Sequence, residues 1–132
     1  MSTMTKVDPS TLDWVKDEID ETLKQARLAL ESYVGNQSDS APLRFCATYL
    51  HQVVGTLQMV ELDGPAFLGR EIEALALAVL DGRVAPDAKC LAHLTRAILL
   101  LPDYLSGLQF GQPDVPLRLL PIINDLRRWE RN

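Results

Sequence analysis

The sequence predicts an all-α fold, an antiparallel up-and-down four-helix bundle with an additional C-terminal helix. Apolar residues recur at steps of three and four in five segments, which is the spacing of one face of an α-helix. Short polar or Gly- and Pro-containing stretches separate these segments, and long helices joined by short loops pack as antiparallel neighbours. No segment alternates apolar and polar residues over a length that would predict a β-strand.

The first two helices have the clearest apolar faces. The first is predicted from about Thr11 to Val34, and Gly35 ends it. Its inward face consists of Leu12, Val15, Ile19, Leu23, Ala26, Leu30 and Tyr33. The second is predicted from about Leu43 to Leu62 and places inward Leu43, Cys46, Leu50, Val53, Leu57 and Val60.

Prolines complicate the remaining three helices. The third is predicted from about Pro65 to Asp81, with Gly82 as its end. The fourth begins near Pro86, and Pro102 should kink or end it, although residues 103–108 could continue the helix. The start of the last helix is uncertain because of Pro121, and its inward residues are predicted to be Leu117, Leu120, Ile123, Leu126 and Trp129.

Composition and charge limit the classes of function. The 132 residues suit one domain, predicted over residues 10–130, after a disordered N-terminus over residues 1–9. The net charge of −5 argues against nucleic acid or an anionic membrane as a partner. The chain has no signal peptide, no apolar run long enough for a membrane span and no glycine-rich phosphate loop. We therefore expect a cytoplasmic protein without an ATP site, metal or cofactor, and expect buried thiols at Cys46 and Cys90.

The second helix carries the residues that could do chemistry. With the apolar stripe set inward, His51 lies on the outward face with Arg44, Thr48, Gly55 and Gln58. A neutral imidazole nitrogen can accept a phosphoryl group, although an isolated surface histidine is commonly only solvated. Glycine inside a helix costs about 1 kcal/mol relative to alanine. Gly55 therefore indicates either access for a partner to His51 or close packing between two helices of the bundle.

The residues around His51 resemble a known pattern. Histidine-phosphotransfer (Hpt) domains carry a helical histidine followed by three residues, a glycine and a small residue, and residues 51–56 (HQVVGT) have that order. In the phosphoacceptor domain of the chemotaxis kinase, a glutamate 22 residues after the histidine hydrogen-bonds it, and Glu73 has that spacing. The resemblance implies an Hpt-like fold, with His51 as phosphoacceptor, Gly55 as the access residue and Glu73 as the partner that fixes the tautomer.

The resemblance extends over nearly the whole chain and departs from the family at two positions. Residues 13–34, 43–62 and 120–129 are similar to the N-terminal Hpt domain of the chemotaxis-like hybrid histidine kinase of type IV pilus (twitching motility) systems. Family members commonly have Lys where this chain has Val54, and Gly where it has Glu61. Arg44 or Arg70 could replace the missing positive charge.

Two functions follow from this resemblance. In the first, His51 accepts a phosphoryl group and passes it on, the partners are a kinase catalytic domain and a response-regulator receiver domain, and Thr48, Val54, Gly55, Gln58, Arg44 and Arg70 form the docking face. The chain is then not an enzyme on its own but the N-terminal module of a longer kinase. In the second, it binds a pilus-associated scaffold or signalling protein without phosphotransfer, as a related pilus regulator that lacks the histidine does, and Val54 belongs to an apolar docking patch.

Overall fold

The structure, a computed structural model, describes residues 9–131 as five α-helices and one short 3-10 helix, without a β-strand in that range. The α-helices are α1 (Pro9–Gly35), α2 (Ala41–Met59), α3 (Asp63–Leu80), α4 (Ala88–Gln109) and α5 (Leu120–Arg131), and the 3-10 helix is Pro116–Leu119. The predicted disorder of residues 1–9 lies outside the described residues, apart from Pro9, with which α1 begins.

The first four helices form the predicted bundle. α1 packs against α2 and α4, α3 packs against the other sides of the same two helices, and α5 covers the edge between α3 and α4. The amide of Gln109, at the end of α4, donates a hydrogen bond of 2.6 Å to Asp13 near the start of α1, as expected for antiparallel helices. The predicted fold, a helical bundle with an additional C-terminal helix, is confirmed.

Leucine, isoleucine, alanine and the two cysteines fill the core. All seven predicted inward residues of α1 are buried or half-buried, as are those of α2, where Val60 is only half-buried. Cys46 and Cys90 are 1% and 0% exposed and are free thiols. Burial raises the pKa of Cys46 to about 12, and burial with the nearby Asp87 carboxylate raises that of Cys90 to about 11. Both thiols are therefore protonated at neutral pH and pack as small apolar groups.

α4 continues through Pro102 instead of ending there. The helix begins at Ala88, two residues after the predicted start, because Asp87 accepts a hydrogen bond of 2.7 Å from the backbone N–H of Lys89 and acts as the N-cap. Pro102 removes one backbone donor, but Leu101, Leu105 and Leu108 remain buried on either side of it. Burial of this apolar face keeps residues 103–108 helical.

The start of the last helix differs from the prediction. Residues 116–119 form a 3-10 helix, and α5 begins at Leu120, so that Pro121 lies in the first turn, where proline is favourable. A 3-10 helix has three residues per turn, which changes the phase of the apolar face. Leu119 and Ile122 are buried, whereas Leu117 and Leu120, predicted inward, are 67% and 41% exposed.

The helices α2, α3 and α4 end in the same hydrogen-bonded motif, in which one residue adopts the left-handed conformation. After α2 this residue is a glutamate and not a glycine. After α3 and α4 the residue in the left-handed conformation is Gly82 (φ 80°) or Gly111 (φ 93°). After α2 it is Glu61 (φ 60°), with Leu62 N–H donating to Leu57 C=O and Glu61 N–H donating to Gln58 C=O. The left-handed conformation is favourable for glycine and unfavourable for glutamate.

We expect Glu61→Gly to stabilise the fold. Glycine removes the steric cost of the left-handed conformation, so the free energy of unfolding should rise by about 1 kcal/mol and the melting temperature by about 3 °C. Thermal and urea unfolding followed by circular dichroism measure this change. Gly82→Ala is the matched control and should destabilise by a similar amount, and a loss of stability in Glu61→Gly would contradict the explanation.

Candidate functional site

His51 and Glu73 lie side by side on α2 and α3. The Nδ1 atom of His51 is 3.0 Å from Oε2 of Glu73. An ionised carboxylate can only accept, so the ring donates its proton from Nδ1. The imidazole is 78% exposed and the carboxylate only 18%, and the free Nε2 atom is therefore the nitrogen available to a partner. The pairing of Glu73 with His51 that the resemblance implies is thus present in the structure, while its chemical role remains a prediction.

A second glycine brings the two helices close enough for this pair to form. A Cβ atom on Gly69 of α3 would lie 2.9 Å from Cγ2 of Val54 on α2, which is shorter than ordinary contact allows. The helices therefore touch through a side chain on one and bare backbone on the other. Glu73 lies one turn beyond Gly69 on the same side of α3, which puts it opposite His51.

Val54 is not on the docking face. It is 5% exposed, because it fills the contact with Gly69. The prediction that Val54 contributes to an exposed apolar patch is therefore wrong. Val54 instead packs α2 against α3, and this turn of α2 supplies no positive charge to His51.

Gly55, one turn after His51, faces open space. A Cβ atom added there would meet no heavy atom within 4 Å, apart from the helix's own neighbouring backbone. Close packing between helices therefore does not require this glycine, in contrast to Gly69. The gap lies on the solvent side of α2, and the cost of a helical glycine is not offset within the fold.

The remaining predicted site residues divide between two sides of the molecule. Arg44, Thr48 and Gln58 are exposed on α2, and the Thr48 hydroxyl donates to the Arg44 C=O of its own helix at 3.1 Å. Arg70 is also exposed, but its guanidinium lies 5.7 Å from the centroid of the Phe67 ring. Arg127 of α5 approaches the same ring to 5.1 Å, so Arg70 leans towards α5 and the structure does not bring it to His51.

Two large exposed apolar side chains of α2 were not predicted. Phe45 and Met59 are 59% and 83% exposed, on a stripe about 100° around the helix from His51 and on the side away from α3. Leu77 of α3, four residues after Glu73, is also 36% exposed. The sequence signal for such residues is an apolar side chain that lies outside the inward stripe of its helix. We call the surface formed by His51, Gly55, Glu73 and their exposed neighbours on α2 and α3 the α2–α3 face. Met59, one turn after Gly55, gives the edge of this face an apolar component suited to protein contacts.

Residues 9–131 contain no helix long and apolar enough to cross a membrane. They also contain no group of three or more His, Cys, Asp or Glu side chains that could hold a metal ion. The α2–α3 face presents one exposed imidazole paired with a carboxylate, with Arg44, Thr48 and Gln58 exposed on the same helix.

Comparison with known proteins identifies the family. Residues 10–122 match the FimL C-terminal domain. The chain belongs to this family. It is 31% identical over 118 residues to scaffold protein FimL of Pseudomonas aeruginosa, a match that covers 89% of the chain. No solved structure matches the chain.

Membership in the FimL C-terminal domain family is a more specific finding than the resemblance to Hpt domains in the sequence. The relative is described as a scaffold protein, not as a kinase or phosphotransfer domain. The chain spans about a fifth of the length of that relative, since the match covers 21% of it. The activity of the whole relative therefore cannot simply be transferred to this domain.

Proposed function

We propose that this FimL-type domain is a protein-docking module in type IV pilus signalling, and that it binds without catalysing a reaction. The similarity to a scaffold protein over 89% of the chain carries this proposal. The link to pili comes from the sequence resemblance described above. The partner proposed is a response-regulator receiver domain or a pilus-associated protein.

The α2–α3 face is the docking surface proposed for this function. It combines open space at Gly55 with the exposed apolar side chain of Met59 one turn further on, and such groups favour association because they are released from water on contact. Val54 is buried, so it contributes no apolar contact to a partner. In this function His51 contributes as a polar contact, and a residue of similar size that can hydrogen-bond replaces it at little cost.

A second function, phosphotransfer, is favoured by one observation. The pair between His51 and Glu73 leaves the Nε2 atom exposed to solvent, and a ring nitrogen that carries no proton is the nucleophile that a phosphoryl acceptor requires. In the transfer, Nε2 attacks the phosphorus atom, the bond to the donor's oxygen breaks, and the donor leaves with its electron pair. Glu73 then stabilises the positive charge that develops on the ring. This function requires the imidazole, whereas docking does not.

One experiment separates the two functions. The chain and its His51→Gln variant are each mixed with the receiver domains of the same cell, with and without phosphorylation, and binding and acid-labile phosphate are both measured. The docking function predicts that a receiver binds both proteins with the same affinity, within about twofold, and leaves no label on either. Glu73→Gln serves as a second variant, and it should also leave binding unchanged.

The phosphotransfer function predicts a different result in the same experiment. Acid-labile label on the wild-type chain, its absence in His51→Gln and its reduction in Glu73→Gln would establish phosphotransfer and overturn the proposal that the domain only docks. Absence of both label and binding for every receiver would direct the search to pilus-associated proteins. Circular dichroism of each variant checks that the fold is intact.

A further inference from the structure

The outward sides of α1 and α4 form a surface that the other described helices leave uncovered. Within residues 9–131, α1 packs only against α2 and α4, while α5 lies on the opposite edge of α4, against α3. We call this surface the α1–α4 face. Its exposed residues on α1, at steps of three and four, are Trp14, Asp17, Glu21, Lys24 and Leu28. Those on α4, at steps of three, four and seven, are Arg96, Leu99, Asp103 and Phe110.

Large apolar side chains are exposed along this face. Trp14 and Phe110 are 87% and 85% exposed, and the hydrogen bond between their chain neighbours Asp13 and Gln109 puts them at the same end of the face. Leu99 lies nearer the middle, beside a shallow depression of about 110 Å³ between α1 and α4. Exposed apolar groups of this size cost free energy in water, so they favour burial of the face against another molecule.

The end of the face that carries the two aromatic side chains is acidic. Residues 12–23 and 99–110 contain six carboxylates and one ammonium group, a net charge of −5. The ammonium group, on Lys16, is buried and paired with Asp20, so this end presents no free cation. We call it the acidic end.

The other end of the face is basic. Its charged side chains, from residues 24–31 and 87–98, are Lys24, Arg27, Glu31, Asp87, Lys89 and Arg96. Their net charge is +2, with histidine counted as neutral. Arg27 and Glu31 pair with each other, whereas Lys24 and Arg96 are exposed and form no ion pair with any side chain in the described part of the chain. The two ends of the α1–α4 face therefore carry opposite charges.

We propose that the α1–α4 face joins two copies of the chain in a dimer with two-fold symmetry. An occupant with charge of one sign would be repelled by one end of the face. A second copy, rotated about a two-fold axis through the middle of the face, places its acidic end on the basic end of the first and its basic end on the acidic end. Trp14 of each copy then meets the basic end of the other, where a guanidinium group such as that of Arg96 is attracted to the indole ring.

The size of the face predicts a weak dimer. From Trp14 to Leu28 the helix rises by about 20 Å, and two adjacent helices present a strip about 20 Å wide. The dimer would thus bury about 400 Å² on each copy, which is below the area of a standard stable interface. We expect a reversible dimer with a Kd of about 10–100 µM.

The dimer goes beyond the docking function proposed above and does not depend on it. Because α1 and α3 each pack against α2 and α4, the α1–α4 face lies on the side of the bundle opposite to the α2–α3 face. Both α2–α3 faces therefore remain exposed in the dimer. A partner with two binding sites would engage both of them and bind more tightly than to a single copy.

The test reverses the charges of one end at a time in the full chain. One double variant, Asp17→Lys with Asp103→Lys, makes the acidic end positive, and another, Lys24→Glu with Arg96→Glu, makes the basic end negative. The matched control is Arg44→Glu with Arg70→Glu, which changes the net charge as much as the second variant does but on α2 and α3. Sedimentation equilibrium from about 5 to 500 µM measures the mass, and circular dichroism checks each fold.

The expected result is a dimer of the wild-type chain and of the control variant, with the affinity lowered at least about tenfold in each end variant alone. An equimolar mixture of the two end variants should form a heterodimer with an affinity within about threefold of wild type, because every contact again joins opposite charges. The first end variant mixed with the control variant should not associate comparably, although the net charges are the same as in that mixture. Trp14→Gln should weaken the wild-type dimer by about tenfold.

Four outcomes would overturn the proposal. The first is a wild-type chain that stays monomeric over the whole concentration range, which leaves the face to a different protein. The second is an end variant that dimerises as wild type does, and the third is a mixture of end variants that does not associate. The fourth is an equal loss of the dimer in the control variant on α2 and α3.

Discussion

Gly55→Gln is expected to weaken binding of a receiver domain by at least about tenfold while making the isolated domain more stable. Glutamine is a good helix former, and a Cβ atom at position 55 meets no heavy atom within 4 Å, so the fold accepts the side chain. The melting temperature should rise by about 3 °C, because the helical glycine is removed. The added side chain occupies the space above His51 that a partner would use.

For Gly55→Gln the stability is expected to rise while the affinity for the receiver falls. Unfolding of the variant therefore cannot account for the weaker binding. Isothermal titration gives the affinity, and thermal unfolding gives the stability of the same preparation. Gly69→Ala is the contrasting control, because its Cβ atom would lie 2.9 Å from Val54 and should destabilise the domain by about 1–3 kcal/mol. If Gly55→Gln binds the receiver as well as wild type does, the α2–α3 face beside Gly55 is not the docking surface.

The contact between His51 and Glu73 shows how much of the site the sequence contains. α2 and α3 are joined by residues 60–62, so they must run antiparallel, and residues at similar distances from the connection lie opposite one another. His51 lies nine residues before residue 60, and Glu73 lies eleven residues after residue 62. The pair was predicted from the resemblance to the chemotaxis kinase domain, and the antiparallel geometry of α2 and α3 is consistent with it.

Burial at the edges of the apolar stripes could not be predicted in this way. Val54 is one residue beyond the inward stripe of α2, and its burial depends on the missing side chain of Gly69 on another helix. Likewise, the exposure of Leu117 depends on a 3-10 turn whose position is set by contacts of Asp114. Both features depend on interactions between segments distant in sequence, which local periodicity does not contain.

The function was less predictable than the fold. The pattern of His51, Gly55 and Glu73 favoured phosphotransfer, whereas the family shown by comparison contains a scaffold protein. A geometry that orients an imidazole also forms a well-ordered polar contact for a partner. The same three residues are therefore compatible with phosphotransfer and with docking. The valine in place of lysine was the sequence feature that pointed away from catalysis.

Asp114→Ala is expected to have the largest effect on stability, a loss of about 2–4 kcal/mol in the free energy of unfolding. The substitution removes the acceptor of the Tyr104 hydroxyl, which is partly buried, and of the Gly64 N–H, which is buried. Urea unfolding at pH 7 measures the change. A loss below about 0.5 kcal/mol would show that the loop is held mainly by its apolar contacts.

Tyr104→Phe tests the same contact through its dependence on pH. Burial, together with the hydrogen bond and the charge of Asp114, raises the pKa of Tyr104 above its ordinary value of 10.0. The fold therefore favours the protonated phenol, so the stabilisation is complete below pH 10 and declines as the pH rises further. The difference in stability between wild type and Tyr104→Phe should be constant from pH 7 to about 9 and shrink above about 10. Groups that titrate in both proteins cancel in this difference, so a constant difference up to pH 11 would exclude the hydroxyl as the donor to Asp114.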